Sequence, residues 1–179
     1  MRKLKVTELN RLSVNQFKES GKLPLIIVLD DIRSMYNVGS IFRTADAFRI
    51  EKIILCGITS CPPTQEIHKT ALGAENSVSW EYYKDAAIAV NNLKAAHYCV
   101  FAVEQVQHSI KLNQFEPITN TSYAFVMGNE VKGVQQRVVD LCDQSLEIPQ
   151  FGTKHSLNVA NTASIVMWEF LRHNIQHIK

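Results

Sequence analysis

Cysteine is scarce in this sequence, and the few cysteines are far apart. The chain has four among 179 residues, and no two of them form a C-x-x-C pair. A zinc site is therefore disfavoured, and so are disulfides if the compartment is reducing. We expect Cys56, Cys61, Cys99 and Cys142 to be free thiols, most of them buried.

Long hydrophobic runs and a strong charge of one sign are also absent. No apolar stretch approaches the roughly 20 residues that a membrane span requires, and the N-terminus MRKLKVTELNRLS lacks the apolar segment of a signal peptide. We therefore expect a cytoplasmic protein without a membrane partner. The formal net charge is only +2, so no overall basic field points to nucleic acid, although a local patch could still bind it.

Two common kinds of site have no clear signature here. No G-x-G-x-x-G follows the first predicted strand, which disfavours a nicotinamide-dependent oxidoreductase. His173 and His177 have the i, i+4 spacing of a metal pair, but no third ligand is evident. We therefore expect no metal site.

The chain does contain alternating strand and helix patterns from Lys22 onward. The run LIIVL, Leu25 to Leu29, is typical of a strand that is buried on both faces of a parallel sheet. Further strands are predicted at Lys52 to Leu55, Val78 to Tyr82, Tyr98 to Val103, Tyr123 to Met127 and Leu146 to Ile148, with helices between them. The sequence thus predicts one α/β domain over 23–179, a parallel sheet flanked by helices, after an N-terminal helical extension over 1–22.

Three polar loops that contain glycine follow strands of this predicted sheet. They are Asp30 to Arg43, Gly128 to Gly133 and Pro149 to Asn158. Since the carboxyl ends of parallel strands lie at one edge of a sheet, we expect the three loops to form one pocket. The stretch from Glu104 to Pro117 is predicted to be irregular.

Arg43 is the first candidate functional residue. On a helix its side chain leans over Gly39, one turn earlier, where glycine costs about 1 kcal/mol relative to alanine. That cost suits a place where a ligand or another backbone comes close. The alternative is a surface arginine that pairs with Asp46 at i+3.

The last helix is predicted to begin at Ser156, its first plausible N-cap, and to be apolar on every side. Such a helix in a chain of this size favours a homodimer in which the helix is shared. Ser156 and Asn158 lie at its predicted first turn. They either only cap the helix and satisfy the loop, or contact a ligand at the free N-H groups.

Three motifs in these loops resemble those of one family. They are Asn37-x-Gly39-x-x-x-Arg43, Gly128-Asn129-Glu130-x-x-Gly133, and Ile148-Pro149 leading to Ser156-Leu157-Asn158-Val159. In this order and spacing, over about Pro24 to Arg172, the chain resembles the SpoU-type (TrmH-like) branch of the SPOUT superfamily of RNA methyltransferases. The resemblance implies a C-terminal trefoil knot, a homodimer, S-adenosylmethionine as cofactor, and methylation of a ribose 2'-hydroxyl in tRNA or rRNA.

The resemblance also implies roles for individual residues. The expected cofactor contacts are Gly128, Asn129, Ile148, Ser156 and Leu157. Arg43 is expected to be the catalytic arginine, Asn37 to hold it or the RNA, and Glu130, Ser156 and Asn158 to complete the pocket. The basic side chains expected to bind RNA are Arg33, Lys69, Lys132 and Lys154, together with Arg137 and the N-terminal arm.

The sequence departs from the family pattern at two places. Gln150 stands where the family often has methionine, in the cofactor loop, and Ala160, Asn161 and Thr162 replace the usual Ser-Val-Ala of the last helix. An alternative function is a non-catalytic RNA-binding module that retains the fold.

Overall fold

The computed structural model describes residues 1–177, and all of their side chains except those of Val6 and His177. Seven strands form one sheet in the order β3-β2-β1-β6-β4-β7-β5, and each neighbouring pair is parallel. The strands are β1 Leu23–Asp30, β2 Ile50–Cys56, β3 Ser79–Tyr83, β4 Cys99–Val103, β5 Ile110–Lys111, β6 Tyr123–Met127 and β7 Gln144–Glu147. The predicted parallel α/β architecture is confirmed.

Helices cover both faces of the sheet. The α-helices are α1 Val14–Glu19, α2 Met35–Ala47, α3 Gln65–Ala71, α4 Ala74–Ser77, α5 Ala86–Ala95, α6 Gln136–Val139 and α7 Val159–Asn174, with short 3-10 turns at Val6–Glu8, Leu112–Gln114 and Ile175–His177. No helix within residues 1–177 is long and apolar enough to cross a membrane. The trefoil knot that the resemblance implies stays a prediction.

Alternation along the central strands explains why both faces are buried. In β6, Tyr123, Phe125 and Met127 point into one core, whereas Ala124 and Val126 point into the other. The first core contains α2, α3 and α7 and a cluster of aromatic rings, and the second packs against α5 and α6. Since successive strand residues face opposite sides, a run that is apolar throughout requires helices on both sides.

Two expectations need correction here. The stretch predicted to be irregular contains the edge strand β5, which pairs with β7 through Ile110 and Leu146. Of the four cysteines, which are all free, only Cys56 is buried, whereas the other three are partly exposed. Burial raises the pKa of the Cys56 thiol to about 12, so this group is inert as a nucleophile.

The N-terminal segment is attached to the domain through α1. Ser13 and Gln16 form the predicted capping box, in which Ser13 Oγ accepts the Gln16 N-H and the Gln16 side chain accepts the Ser13 N-H. Phe17 on this helix is buried in the first core. The division into an extension over 1–22 and a domain over 23–179 stays a prediction.

Candidate active site

A chain of side-chain hydrogen bonds joins the three predicted loops. Asn158 Nδ2 donates to Asn37 Oδ1 at 3.1 Å, and Asn37 Nδ2 donates to Glu130 Oε1 at 3.1 Å. These residues follow β7, β1 and β6, respectively. The predicted convergence of the loops at the carboxyl edge of the sheet is confirmed.

Glu130 lies at the N-terminal end of α2. Its carboxylate accepts the backbone N-H groups of Arg33 and Ser34, both at 3.0 Å, in addition to the Asn37 amide. Burial alone would raise the pKa of Glu130, but these hydrogen bonds outweigh it and hold the pKa below its usual value. Glu130 is therefore an ionised carboxylate that fixes the start of α2, where free N-H groups favour negative charge.

Asn158, not Ser156, is the N-cap of α7. Its Oδ1 accepts the N-H groups of Ala160 at 2.9 Å and Asn161 at 3.3 Å, so the predicted start at Ser156 is wrong by two residues. Because Asn158 takes up these donors, the end of the helix is not an open anion site. Ser156 and Leu157 lie before the helix, in an exposed loop.

The Gly128 to Gly133 loop is folded tightly on itself. Asn129 and Gly133 exchange two backbone hydrogen bonds, at 3.0 and 2.8 Å. A Cβ on Gly128 would lie 2.1 Å from the backbone of Gly133 and of Val134, so only glycine fits. The Asn129 side chain accepts the N-H groups of Val131 and Lys132 and donates to Asp31 O at 2.7 Å. Asn129 therefore shapes this loop with most of its polar atoms.

A cavity of about 430 Å³ lies beside this network. Residues predicted to bind the cofactor or to complete the pocket line it, namely Gly128, Asn129, Glu130, Ile148, Ser156 and Leu157. The volume falls within the roughly 300–1,000 Å³ of small-molecule sites. Met127, Leu146 and Val103 add apolar wall.

Glu104 and Gln105 line the same cavity, and sequence reasoning missed both. Glu104 accepts the N-H groups of Gln105 at 2.8 Å and Val134 at 3.0 Å, and Gln105 Nε2 donates to His155 O at 2.8 Å. These bonds tie the end of β4 to the two glycine loops. The position of Glu104 directly after a buried strand was the signal that could have found it.

Arg43 lies outside the lining of this cavity. It is exposed, about 9 Å along α2 from Asn37 by the helical rise, and borders a second cavity of about 620 Å³ with Arg11 and Phe17. Within residues 1–177 Arg43 has no hydrogen bond or ion pair, so the alternative pairing with Asp46 is wrong. Asp46 accepts a hydrogen bond from Ser77 instead.

Gly39 serves helix packing. A Cβ there would lie 2.1 Å from Thr70 Oγ1 and 2.3 Å from Ile67 O of α3. Of the two reasons expected for this glycine, a close backbone is therefore the correct one. The guanidinium of Arg43 does not require a glycine at position 39.

The predicted RNA-binding residues Arg33, Lys69, Lys132 and Lys154 are all exposed. Arg137 is paired with Asp85 at 2.8 Å, and this guanidinium is therefore engaged within the chain. His173 lies 3.3 Å from Glu169, whereas the His177 side chain is outside the described residues. In the described part, no group of three or more His, Cys, Asp or Glu is placed to hold a metal ion.

Comparison with known proteins assigns the chain to a family. The model of the SpoU rRNA methylase family matches residues 24–168, which contain all three motifs. The chain belongs to this family. A Staphylococcus aureus (strain MSSA476) protein assigned to the TrmH family of tRNA/rRNA methyltransferases is 31% identical over 159 residues, 89% of this chain and 63% of the relative. The chain thus spans less than two thirds of the length of this relative.

Two crystal structures extend the similarity to the fold. The TrmH/SpoU tRNA modifying enzyme of A. aeolicus superposes with a TM-score of 0.80 at 20% identity, over 92% of this chain and 83% of that one. The S-adenosylmethionine-bound rRNA methyltransferase of Sinorhizobium meliloti has a TM-score of 0.78 at 27% identity, over 91% of this chain and 61% of that one. The SpoU-type fold is therefore established for this family member.

Proposed function

We propose that the chain is an S-adenosylmethionine-dependent methyltransferase that modifies a ribose 2'-hydroxyl of tRNA or rRNA in the cytoplasm. The observation that carries this proposal is the Asn158 to Asn37 to Glu130 hydrogen-bond chain. It links one residue from each family motif, and one of the three, Glu130, lines a cavity of suitable size. Family membership supports the same chemistry.

The residues around the cavity fit S-adenosylmethionine. Ile148, Leu157 and Met127 offer apolar surface for a purine, and the Glu104 carboxylate offers an acceptor for hydroxyl groups or a partner for positive charge. When bound, this cofactor supplies an electrophilic methyl group. The residues that would hold the cofactor are Gly128, Asn129, Ile148, Ser156 and Leu157. Gly128 and Asn129 would contribute by keeping their loop tight.

The contribution of the protein is then mainly positioning. Methyl transfer requires the ribose oxygen in line with the methyl group, and correct placement alone can lower a barrier by several kcal/mol. The Asn37, Glu130 and Asn158 network fixes the starts of α2 and α7 relative to the cavity. Glu130 is a poor proton acceptor, because three hydrogen bonds hold its pKa low.

Arg43 acts as an electrostatic clamp. A guanidinium stays protonated at neutral pH and is therefore a poor proton acceptor. Its fork of donors suits the phosphate next to the target ribose and the developing alkoxide, while the proton leaves through that phosphate or water. The lack of any partner for Arg43 within residues 1–177 supports this role. Arg33, Lys69, Lys132 and Lys154 would bind neighbouring phosphates.

A homodimer would cover the outer face of α7. Trp168 is 52% exposed and packs against Phe48 in a tilted arrangement with ring centroids 5.9 Å apart, and Ile165 is exposed one turn earlier. Large exposed aromatic and aliphatic side chains are enriched at protein interfaces. Trp168→Glu is expected to shift the protein from dimer to monomer in light scattering. A monomer in the unmutated protein would contradict the proposed dimer.

The decisive experiment is transfer of labelled methyl from S-adenosylmethionine to total RNA. We expect label in either the tRNA or the rRNA fraction with the unmutated protein, and a rate of labelling about 10²- to 10³-fold lower with Arg43→Ala. Alkaline hydrolysis identifies the product, because a 2'-O-methyl group blocks cleavage at the modified nucleotide. If the cofactor binds but neither protein labels RNA, the chain is a non-catalytic module.

A further inference from the structure

The loop before α7 is exposed along its whole length from residue 151 to residue 158. Phe151 is 97% exposed, and within the described residues its ring contacts no other aromatic ring. A phenyl group in that position adds nothing to the hydrophobic core. The loop is nevertheless anchored at two points, by Gln105 on His155 O and by Asn158 on Asn37.

Each of the three site loops presents the same combination of side chains. We define the rim as one exposed aromatic or aliphatic residue and one exposed cation from each loop, namely Tyr36 with Arg33, Val131 with Lys132, and Phe151 with Lys154. Tyr36 is 49% exposed and directly precedes Asn37. The repetition on three loops that hydrogen bonds join beside one cavity distinguishes the rim from scattered surface residues, which need no explanation.

The cations of the rim are available to a ligand. In the part of the chain that the structure describes, Arg33, Lys132 and Lys154 form no side-chain ion pair. By contrast, Arg137 and Arg172 on α6 and α7 are each paired with a carboxylate. The three cations of the rim are thus not neutralised by ion pairs within the described residues, in a protein of nearly balanced charge.

This chemistry fits unpaired RNA better than a second protein surface. Lysine is depleted at protein interfaces, whereas aromatic faces next to free cations bind single strands, with bases stacked on the rings and phosphates on the cations. Bases inside a duplex are stacked on each other and have no free face. We propose that Phe151 stacks on an unpaired base next to the target nucleotide, so that the substrate is a single-stranded or looped RNA segment.

This inference deepens the proposed function, and its test does not depend on turnover. Binding of a short mixed-sequence single-stranded RNA is compared with binding of the same strand annealed to its complement. Phe151→Ala and Phe151→Leu are expected to weaken single-strand binding about 5- to 150-fold, and Phe151→Trp to preserve it, because stacking needs an aromatic face. Binding of the duplex should change little in all three variants.

A matched control separates stacking from general surface effects. Ile118 precedes β6, at the amino ends of the strands rather than the carboxyl ends where the site lies, and it is 67% exposed. Ile118→Ala should bind both RNAs as the unmutated protein does. Lys154→Ala should weaken both RNAs and reduce the salt dependence of binding by about one ion. Light scattering of Phe151→Ala should show an unchanged oligomeric state.

The outcomes distinguish this inference from the function itself. Equal single-strand affinity of Phe151→Leu and the unmutated protein overturns the stacking role, even if methyl transfer is observed. Loss of a dimer in Phe151→Ala overturns it too, since the ring would then contact a second copy of the chain. If Phe151→Leu is impaired but no RNA is ever methylated, the stacking role stands and the enzymatic proposal fails. If neither the unmutated protein nor any variant binds the single strand, the inference is overturned.

Discussion

The two ends of α2 contrast sharply in how their polar side chains are used. At the N-terminal end, Ser34 caps the helix, and the Glu130 carboxylate accepts the Asn37 amide together with the backbone N-H groups of Arg33 and Ser34. Two turns later Arg43 is exposed and has no partner in residues 1–177. One end is therefore closed by internal hydrogen bonds that fix its shape, whereas the other retains a charged group for a ligand. Mutations at the two ends should accordingly separate folding from activity.

Arg43→Ala should have the largest effect, and only on activity. Removing one hydrogen-bond donor to the negative charge that develops in the transition state typically lowers turnover by about 10²- to 10³-fold. The free energy of unfolding should change by less than about 0.5 kcal/mol, because Arg43 is exposed and forms no hydrogen bond or ion pair within residues 1–177. Single-turnover methyl transfer and urea unfolding measure the two quantities.

Arg43→Lys tests which property of the arginine matters. The ammonium keeps the charge but lacks the planar fork, so we expect only partial recovery over Arg43→Ala. Full turnover would show that the fork is unnecessary, and a large loss of stability in either variant would contradict the contrast between the two ends.

Gly39→Ala should destabilise the fold by roughly 1–3 kcal/mol, as overpacking typically does. Helix propensity alone would give the opposite sign, a gain of about 1 kcal/mol. The reason for the reversal is the α3 backbone, since Ile67 O would lie 2.3 Å from the new Cβ. Urea unfolding measures the change, and Ser40→Ala on the next, partly exposed position is the control. Stabilisation by Gly39→Ala would show that α2 and α3 are less tightly packed.

Glu130→Gln should cost about 1–2 kcal/mol of stability, because a neutral amide accepts the Arg33 and Ser34 N-H groups less well than a carboxylate. Thermal unfolding at neutral pH measures it. Glu116→Gln, at an exposed site before β6, controls for the loss of one negative charge. Equal melting temperatures of the two variants would count against a structural role for the Glu130 carboxylate.

The smallest expected effect is the pH dependence of the stability difference between the unmutated protein and Glu130→Gln. The pKa of Glu130 is lower in the folded protein than its unfolded value of about 4.3, so the stabilisation is fully present above pH 4.3. It is lost as the pH falls through the folded pKa. The stability gap between the unmutated protein and Glu130→Gln should therefore narrow below about pH 4.3 in urea titrations. A gap that is constant with pH would mean that the charge of Glu130 does not contribute.

Local pattern predicted much of the framework. The bounds of β6 agree with the prediction, and β1 and β2 extend it by one or two residues at each end. Asp85 is the N-cap of α5, and it stands directly before an apolar run. Such features depend on the alternation of apolar residues and on capping by a nearby side chain, which are properties of short stretches.

Other features depended on partners far away in the chain. The start of α7 was placed at Ser156, because two capping residues lie two positions apart and only the contact with Asn37 distinguishes them. The two-residue strand β5 exists only because β7 lies beside it. Glu104 became a cavity residue through its hydrogen bond to Val134, 30 positions later. The partners in these contacts cannot be read from local composition.

The sequence by itself determined a parallel α/β fold, three polar loops at one edge of the sheet, and the motifs that place the chain among SpoU methylases. Apolar periodicity and glycine positions were sufficient for this, because they act over a few residues. Only the tertiary structure decided that Asn37, Glu130 and Asn158 bond to each other while Arg43 remains free. Hydrogen bonds form between groups that meet in space, and folding alone determines which groups meet.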